Sequence, residues 1–139
     1  MDQGLAGRMA IVEAASKGLR RAVADELAGE GAYVSICGRT ASTLAETAAH
    51  LQKTTGGEVF HRALDVIESG VVTTFVAAGD ARFSRIDVCV TNSGGPPSNM
   101  SRNTPPEAWR AAVGRLLMCT VFFGQGNFFA NAKRESRDV

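Results

Sequence analysis

Apolar positions recur along this chain in two alternating rhythms. A short run from Met9 to Ala14 reads as a strand. Leu19, Val23 and Leu27 follow at a spacing of four, which predicts a helix closed by Gly29 and Gly31. The β-branched and aromatic AYVSIC predicts a second strand, and from Thr40 the stripe Leu44, Ala48, Leu51 predicts a second helix ended by TTGG. EVFHRALDV predicts a third strand. Val72, Phe75 and Val76 predict a third helix, with Gly79 as its stop. RIDVCVTN is nearly continuously apolar, as strands covered on both faces are, and SGGPPSN after it is a turn-rich loop. A last helix is signalled by Thr104 as N-cap, Pro105 at the first helical position and Glu107 completing a capping box; Trp109, Ala112, Val113, Leu116 and Leu117 form its apolar face.

Strands alternating with helices imply βαβ units and an α/β fold. Right-handed crossovers place helices on both faces of a parallel sheet. The expected architecture is a partial Rossmann-type doubly wound sheet of about four strands in the order 3-2-1-4, short of the six such folds usually have.

Composition narrows the function. A net charge of +1 with 45% hydrophobic residues fits one globular domain and gives no electrostatic footprint for nucleic acid. Cys37, Cys89 and Cys119 are odd in number and lie in apolar runs, so they read as small buried hydrophobes in a reducing compartment. Their separation, and that of His50 from His61, offers no metal-ligand spacing. No run reaches the roughly 18 apolar residues of a membrane span. A cytoplasmic protein without membrane contact is expected.

The chemistry concentrates in EAASKGLR, residues 13–20, between the first strand and the first helix. Free N–H groups at a helix start, together with the helix dipole, attract phosphate, and glycines let the backbone approach it. With this turn stand Asp65-Val66 after the third strand, Asn92-Ser93-Gly94-Gly95 after the fourth, and EAWRAAV at Glu107 to Val113. In this order, the four segments resemble the short-chain dehydrogenase/reductase family over about residues 5–123. Residues 1–123 then read as the N-terminal portion of a dinucleotide-binding domain and 124–139 as a divergent tail.

The resemblance implies a cofactor held by Ser16, Lys17, Gly18, Leu19, Arg39, Asp65, Val66, Asn92, Ser93 and Gly94. Arg39 at the end of the second strand, with no acid beside it, and Lys17 in the turn imply NADP(H); the alternative is two exposed surface cations. Where the family has Thr-Gly-x-x-x-Gly-x-Gly, this chain has Glu13 for Thr, Ala14 for the first Gly, Gly18 kept and Arg20 for the last Gly. The Ala14 change is expected to be mild. Arg20 is expected to overpack the turn and the Glu13 carboxylate to repel phosphate; the alternative is that the two pair with each other, which would still crowd the site. Weak or lost cofactor binding follows.

Family chemistry also needs an Asn, a Ser and a Tyr-x-x-x-Lys pair. The Asn position falls at Leu116, and Tyr33, the one tyrosine, has no Lys four residues on, so no catalytic residue is assigned. GQGNFFANAKRESRDV shows no helical stripe, and GQGN can be encoded so that the next reading frame gives Ala-Arg-Glu-Thr. A frameshift replacing the rest of a longer enzyme is one expectation. Three functions stay open: an oxidoreductase of a carbonyl or alcohol substrate, inactive as it stands; a nucleotide-binding or regulatory half-domain working through a partner; and a non-functional remnant. Self-association through Val113, Leu116, Leu117, Val121, Phe122 and Phe123 is expected because truncation leaves that face uncovered.

Overall fold

A computed structural model describes residues 3–94, 98 and 101–135. Four parallel strands, β1 (Met9–Val12), β2 (Tyr33–Gly38), β3 (Val59–Ala63) and β4 (Val88–Val90), form one sheet in the order β3-β2-β1-β4. β1 pairs with β2 from Met9 opposite Tyr33, and with β4 from Ala10 opposite Val88. The connections are α1 (Gly18–Gly29), α2 (Ala41–Thr55) and α3 (Ser69–Phe83). The 3-2-1-4 order read from the sequence is the order observed.

Side chains alternate across the sheet, so one strand feeds two cores. Met9 and Ile11 point toward Val72, Phe75, Val76 and Phe123; Val12 joins Val34, Ile36, Leu44 and Leu51 on the other face. All four residues of β1 are wholly buried.

Helix boundaries follow local chemistry, with several departures from the sequence reading. α2 starts after Thr40 and stops at Gly56 in the left-handed conformation, as the TTGG signal predicts. In α1 the buried residues are Ala24 and Ala28, whereas Leu19 is 72% exposed, so the buried stripe is rotated from the one the leucines suggest. Gly79 does not stop α3, which continues to Phe83. A Cβ there would lie 2.9 Å from the Met9 methyl, so this glycine serves close packing on the sheet.

The last helix begins at Pro106 rather than at Pro105, and no side-chain hydrogen bond caps it. A residue before proline is driven to extended backbone, and Pro105 is held at ψ 154° before Pro106. From there α4 (Pro106–Val113), a π-helical turn (Gly114–Met118) and α5 (Cys119–Glu135) continue with helical backbone at both joints.

Residues 124–135 are therefore helical, against the expectation of a tail without helical logic, and α5 crosses residue 123 without a break. Its inward stripe is Cys119, Phe123, Gly126 and Ala130, at helical spacing but small at three positions, so it does not stand out beside the larger outward Phe128 and Phe129. The stripe packs on α3. A Cβ at Gly126 would sit 3.2 Å from Val76, and Asn131 Nδ2 donates to the Ile86 carbonyl at 3.3 Å. Phe123 is fully buried here rather than left open, while Val113, Leu116, Leu117 and Val121 are exposed. Residues 136–139 of the tail lie outside the described residues.

Candidate functional site

The carboxyl ends of the strands meet where the sheet order reverses, between β1 and β4, and a ligand crevice is expected at such a point. A cleft of about 160 Å³ lies there. Ser16, Lys17, Arg39, Asp65, Val66, Ser93 and Gly94 line it, together with Glu13, Ala14, Arg20, Gly38, Thr40, Leu64 and Arg115. A shallower hollow adjoins it, lined by Lys17, Gly18, Leu19, Arg20, Asn92, Ser93 and Gly94. Every site residue named from the sequence thus borders one or both. Gly95 of the same segment lies outside the described residues.

The turn from β1 into α1 is built by torsion. Gly18 has φ +65°, with nothing within 4 Å of where a Cβ would sit, so its backbone angle rather than space demands glycine. Ala14 has φ +52°. That region costs an L-residue about 1–2 kcal/mol, so the Ala14 change is a strained backbone and not the mild added methyl expected. Lys17 precedes α1 in extended conformation, and both Lys17 and Arg39 are exposed at the mouth.

Glu13 and Arg20 do not pair. Arg20 Nη1 donates to the Asn92 carbonyl at 2.6 Å, bridging the start of α1 to the loop after β4. Arg20 fits at the surface there, so the expected overpacking becomes a bridge across the groove. Glu13 is 0% exposed, and neither carboxylate oxygen has a hydrogen-bond partner of normal geometry. Burial raises its pKa; the Cys119 thiol, the Asn92 backbone and the Arg20 charge oppose this without cancelling it. The acid is displaced toward its neutral form, which blunts the repulsion of phosphate expected from a full carboxylate.

Burial likewise pushes the Cys37 thiol up to about 12 and Cys89 to about 11, so both stay protonated and poor nucleophiles. All three cysteines are free thiols, and Cys37 and Cys119 are buried. His50 Nε2 lies 3.5 Å from Asp25 across the α1–α2 contact. Among the described residues, no group of three or more His, Cys, Asp or Glu is placed to hold a metal ion, and no helix is long and apolar enough to cross a membrane.

Four cleft residues, Gly38, Thr40, Leu64 and Arg115, were not named as site residues from the sequence. Arg115 lies in the π-helical turn, whose altered spacing frees carbonyls; Ser93 Oγ donates to the Arg115 carbonyl at 2.8 Å and so ties the helix to the cleft. Thr40 is the N-cap of α2 and reads as a capping residue alone. Tyr33 begins β2 at the opposite end of the sheet from the cleft and stacks on Phe83 at 5.2 Å between ring centres.

A parallel 3-2-1-4 sheet with the β1–α1 turn at its reversal point defines a Rossmann-like fold. The chain belongs to the short-chain dehydrogenase/reductase family: the profile described as short chain dehydrogenase matches residues 8–127. It is 32% identical over 118 residues to an uncharacterized oxidoreductase of Staphylococcus saprophyticus, covering 85% of this chain and 50% of that one. Among solved structures it is similar to L-sorbose reductase from Gluconobacter frateurii complexed with NADPH and L-sorbose. The TM-score is 0.89 at 28% identity, covering 96% of this chain and 51% of that one. An actinorhodin polyketide ketoreductase variant with NADPH gives a TM-score of 0.84 at 26% identity, covering 98% and 51%. The chain spans about half the length of these relatives.

Proposed function

We propose that the chain is the cofactor-binding half of an NADP(H)-dependent oxidoreductase acting on a carbonyl or alcohol substrate, of the ketoacyl-reductase-like branch, and that its own hold on the cofactor is weak. The observation that carries this reading is the pair Lys17 and Arg39 at the mouth of a cleft at the strand ends, with no acid next to Arg39. Positive charge there suits a 2′-phosphate, where an acid would suit a free ribose hydroxyl. Asp65 and Val66 would flank the adenine, and Ser16, Gly18, Leu19, Asn92, Ser93 and Gly94 would line the path of the remaining groups. The cofactor supplies the hydride; the protein part supplies position and electrostatics.

The residues fit unevenly. The adenosine end has its cations and its walls, whereas the path beyond it is crossed by Arg20 and underlain by the buried Glu13. Among the described residues, no proton donor borders the cleft in the manner of a tyrosine with its lysine, so we infer that these residues alone do not transfer hydride. Buried free thiols suit a reducing cytoplasm. The exposed side of the last helix, with Trp109, Leu117, Phe128 and Phe129, suits self-association, and it equally supports a half-domain that works through a partner.

NADPH fluorescence tests the reading. Titration of the unaltered chain should give weak binding, and of the Glu13→Thr, Arg20→Gly double variant binding at least about ten-fold tighter. Equally tight binding by both would remove the assigned cause of weakness, and no binding by either would remove the cofactor.

A further inference from the structure

The cleft and the hollow beside it share Lys17, Arg20, Ser93 and Gly94, so they are two parts of one groove. Arg20 borders both, and its guanidinium is tied to the Asn92 carbonyl across the gap between α1 and the loop after β4. On one side remain Arg39, Thr40, Asp65 and Val66 around a small cleft open to solvent. On the other side remain Gly18, Leu19 and Asn92 over an open surface. Behind the wall of the cleft Glu13 is fully buried, and neither of its carboxylate oxygens has a hydrogen-bond partner of normal geometry.

We propose that Arg20 is a selectivity bar, and that this chain takes a nucleoside bisphosphate, the 2′-phosphoadenosine end by itself, in preference to the whole dinucleotide. The proposal rests on the cofactor class read above and adds where the bound ligand ends. A ligand that stops after the adenosine phosphates lies within the cleft between Lys17 and Arg39 and leaves the Arg20–Asn92 hydrogen bond intact. A dinucleotide must continue past that bond into the hollow, and a charge-assisted bond must break for it to do so. Glycine, the residue at this position in the family pattern, has no side chain to form such a bar.

Calorimetric titration of the full chain with adenosine 2′,5′-bisphosphate and, separately, with NADPH tests this, alongside Arg20→Gly and Arg20→Ala. The alanine variant keeps helix propensity should glycine fray the start of α1. The bisphosphate should bind the unaltered chain at least as tightly as NADPH. Either substitution should tighten NADPH by about ten-fold or more while moving the bisphosphate by no more than about two-fold. If NADPH already binds ten-fold tighter than the bisphosphate, or if loss of Arg20 weakens NADPH, the guanidinium serves the pyrophosphate and the bar is refuted, while the cofactor class stands. If neither ligand binds any of the three proteins, the cofactor class fails and the bar with it.

Discussion

Two side chains just past the end of β1 show how a few atoms decide what the turn can do. Ala14 holds a left-handed backbone. Replacing it with glycine removes about 1–2 kcal/mol of strain and returns about 0.4–1 kcal/mol through a freer unfolded chain, so Ala14→Gly should stabilise by about 0.5–1 kcal/mol. Urea denaturation measures it, and a loss of stability would show the strain to be absent. Glu13 gives a pH signature. Its folded-state pKa lies above the ordinary 4.5 because burial disfavours the charged form. Below 4.5 the acid is protonated in both folded and unfolded chains. As pH rises, the unfolded chain releases its proton first, and stability falls until the folded-state value is passed. Glu13→Gln cannot ionise, so its stability advantage over the unaltered chain should widen from pH 4.5 toward about pH 8. A constant gap in denaturation at the two pH values would mean that the buried acid ionises as easily as it does in water.

At the scale of elements, the close pairing of α3 with α5 depends on Gly126. Its absent side chain lets Val76 in, and Gly126→Leu should cost about 1–3 kcal/mol by overpacking, read as a lowered denaturation midpoint with unchanged slope. The Ser93–Arg115 hydrogen bond should be worth about 0.5–1.5 kcal/mol, lost in Ser93→Ala, because it satisfies a carbonyl in the π-helical turn. Elements whose large apolar residues face inward were legible in the sequence: Leu44, Ala48 and Leu51 mark α2, and Val72, Phe75 and Val76 mark α3. The run from Gly124 to Glu135 was not, because its buried positions are Gly126 and Ala130 while Phe128 and Phe129 face outward. Hydrophobic pattern reports which side chains are greasy, and here the contact is made by which are small. The site shows the same division. The strand-to-helix setting marked the turn, and the family resemblance pointed to Arg39, Asp65 and Asn92, but Arg115 and the Arg20–Asn92 bond join segments far apart in sequence and depend on tertiary placement.

The whole molecule has two differently protected sides. α1 and α2 cover one face of the sheet, and α3 and α5 cover the other, while β4 stands at an edge of the sheet. Trp109, Val113, Leu116, Leu117, Phe128 and Phe129 are exposed along the last helix, and the proposed self-association would bury apolar side chains among them. Sedimentation velocity should show concentration-dependent assembly, and Leu117→Glu with Phe129→Glu should shift it toward monomer; assembly unchanged by both would place the contact elsewhere. β1 has a different consequence. It is bonded on both edges and covered on both faces, so its amides can meet solvent only when the sheet itself opens. In deuterium, the amide protons of Ala10 to Val12 should be the last to exchange, and their rate should report the free energy of global opening, whereas those of β4 should follow a smaller, local one.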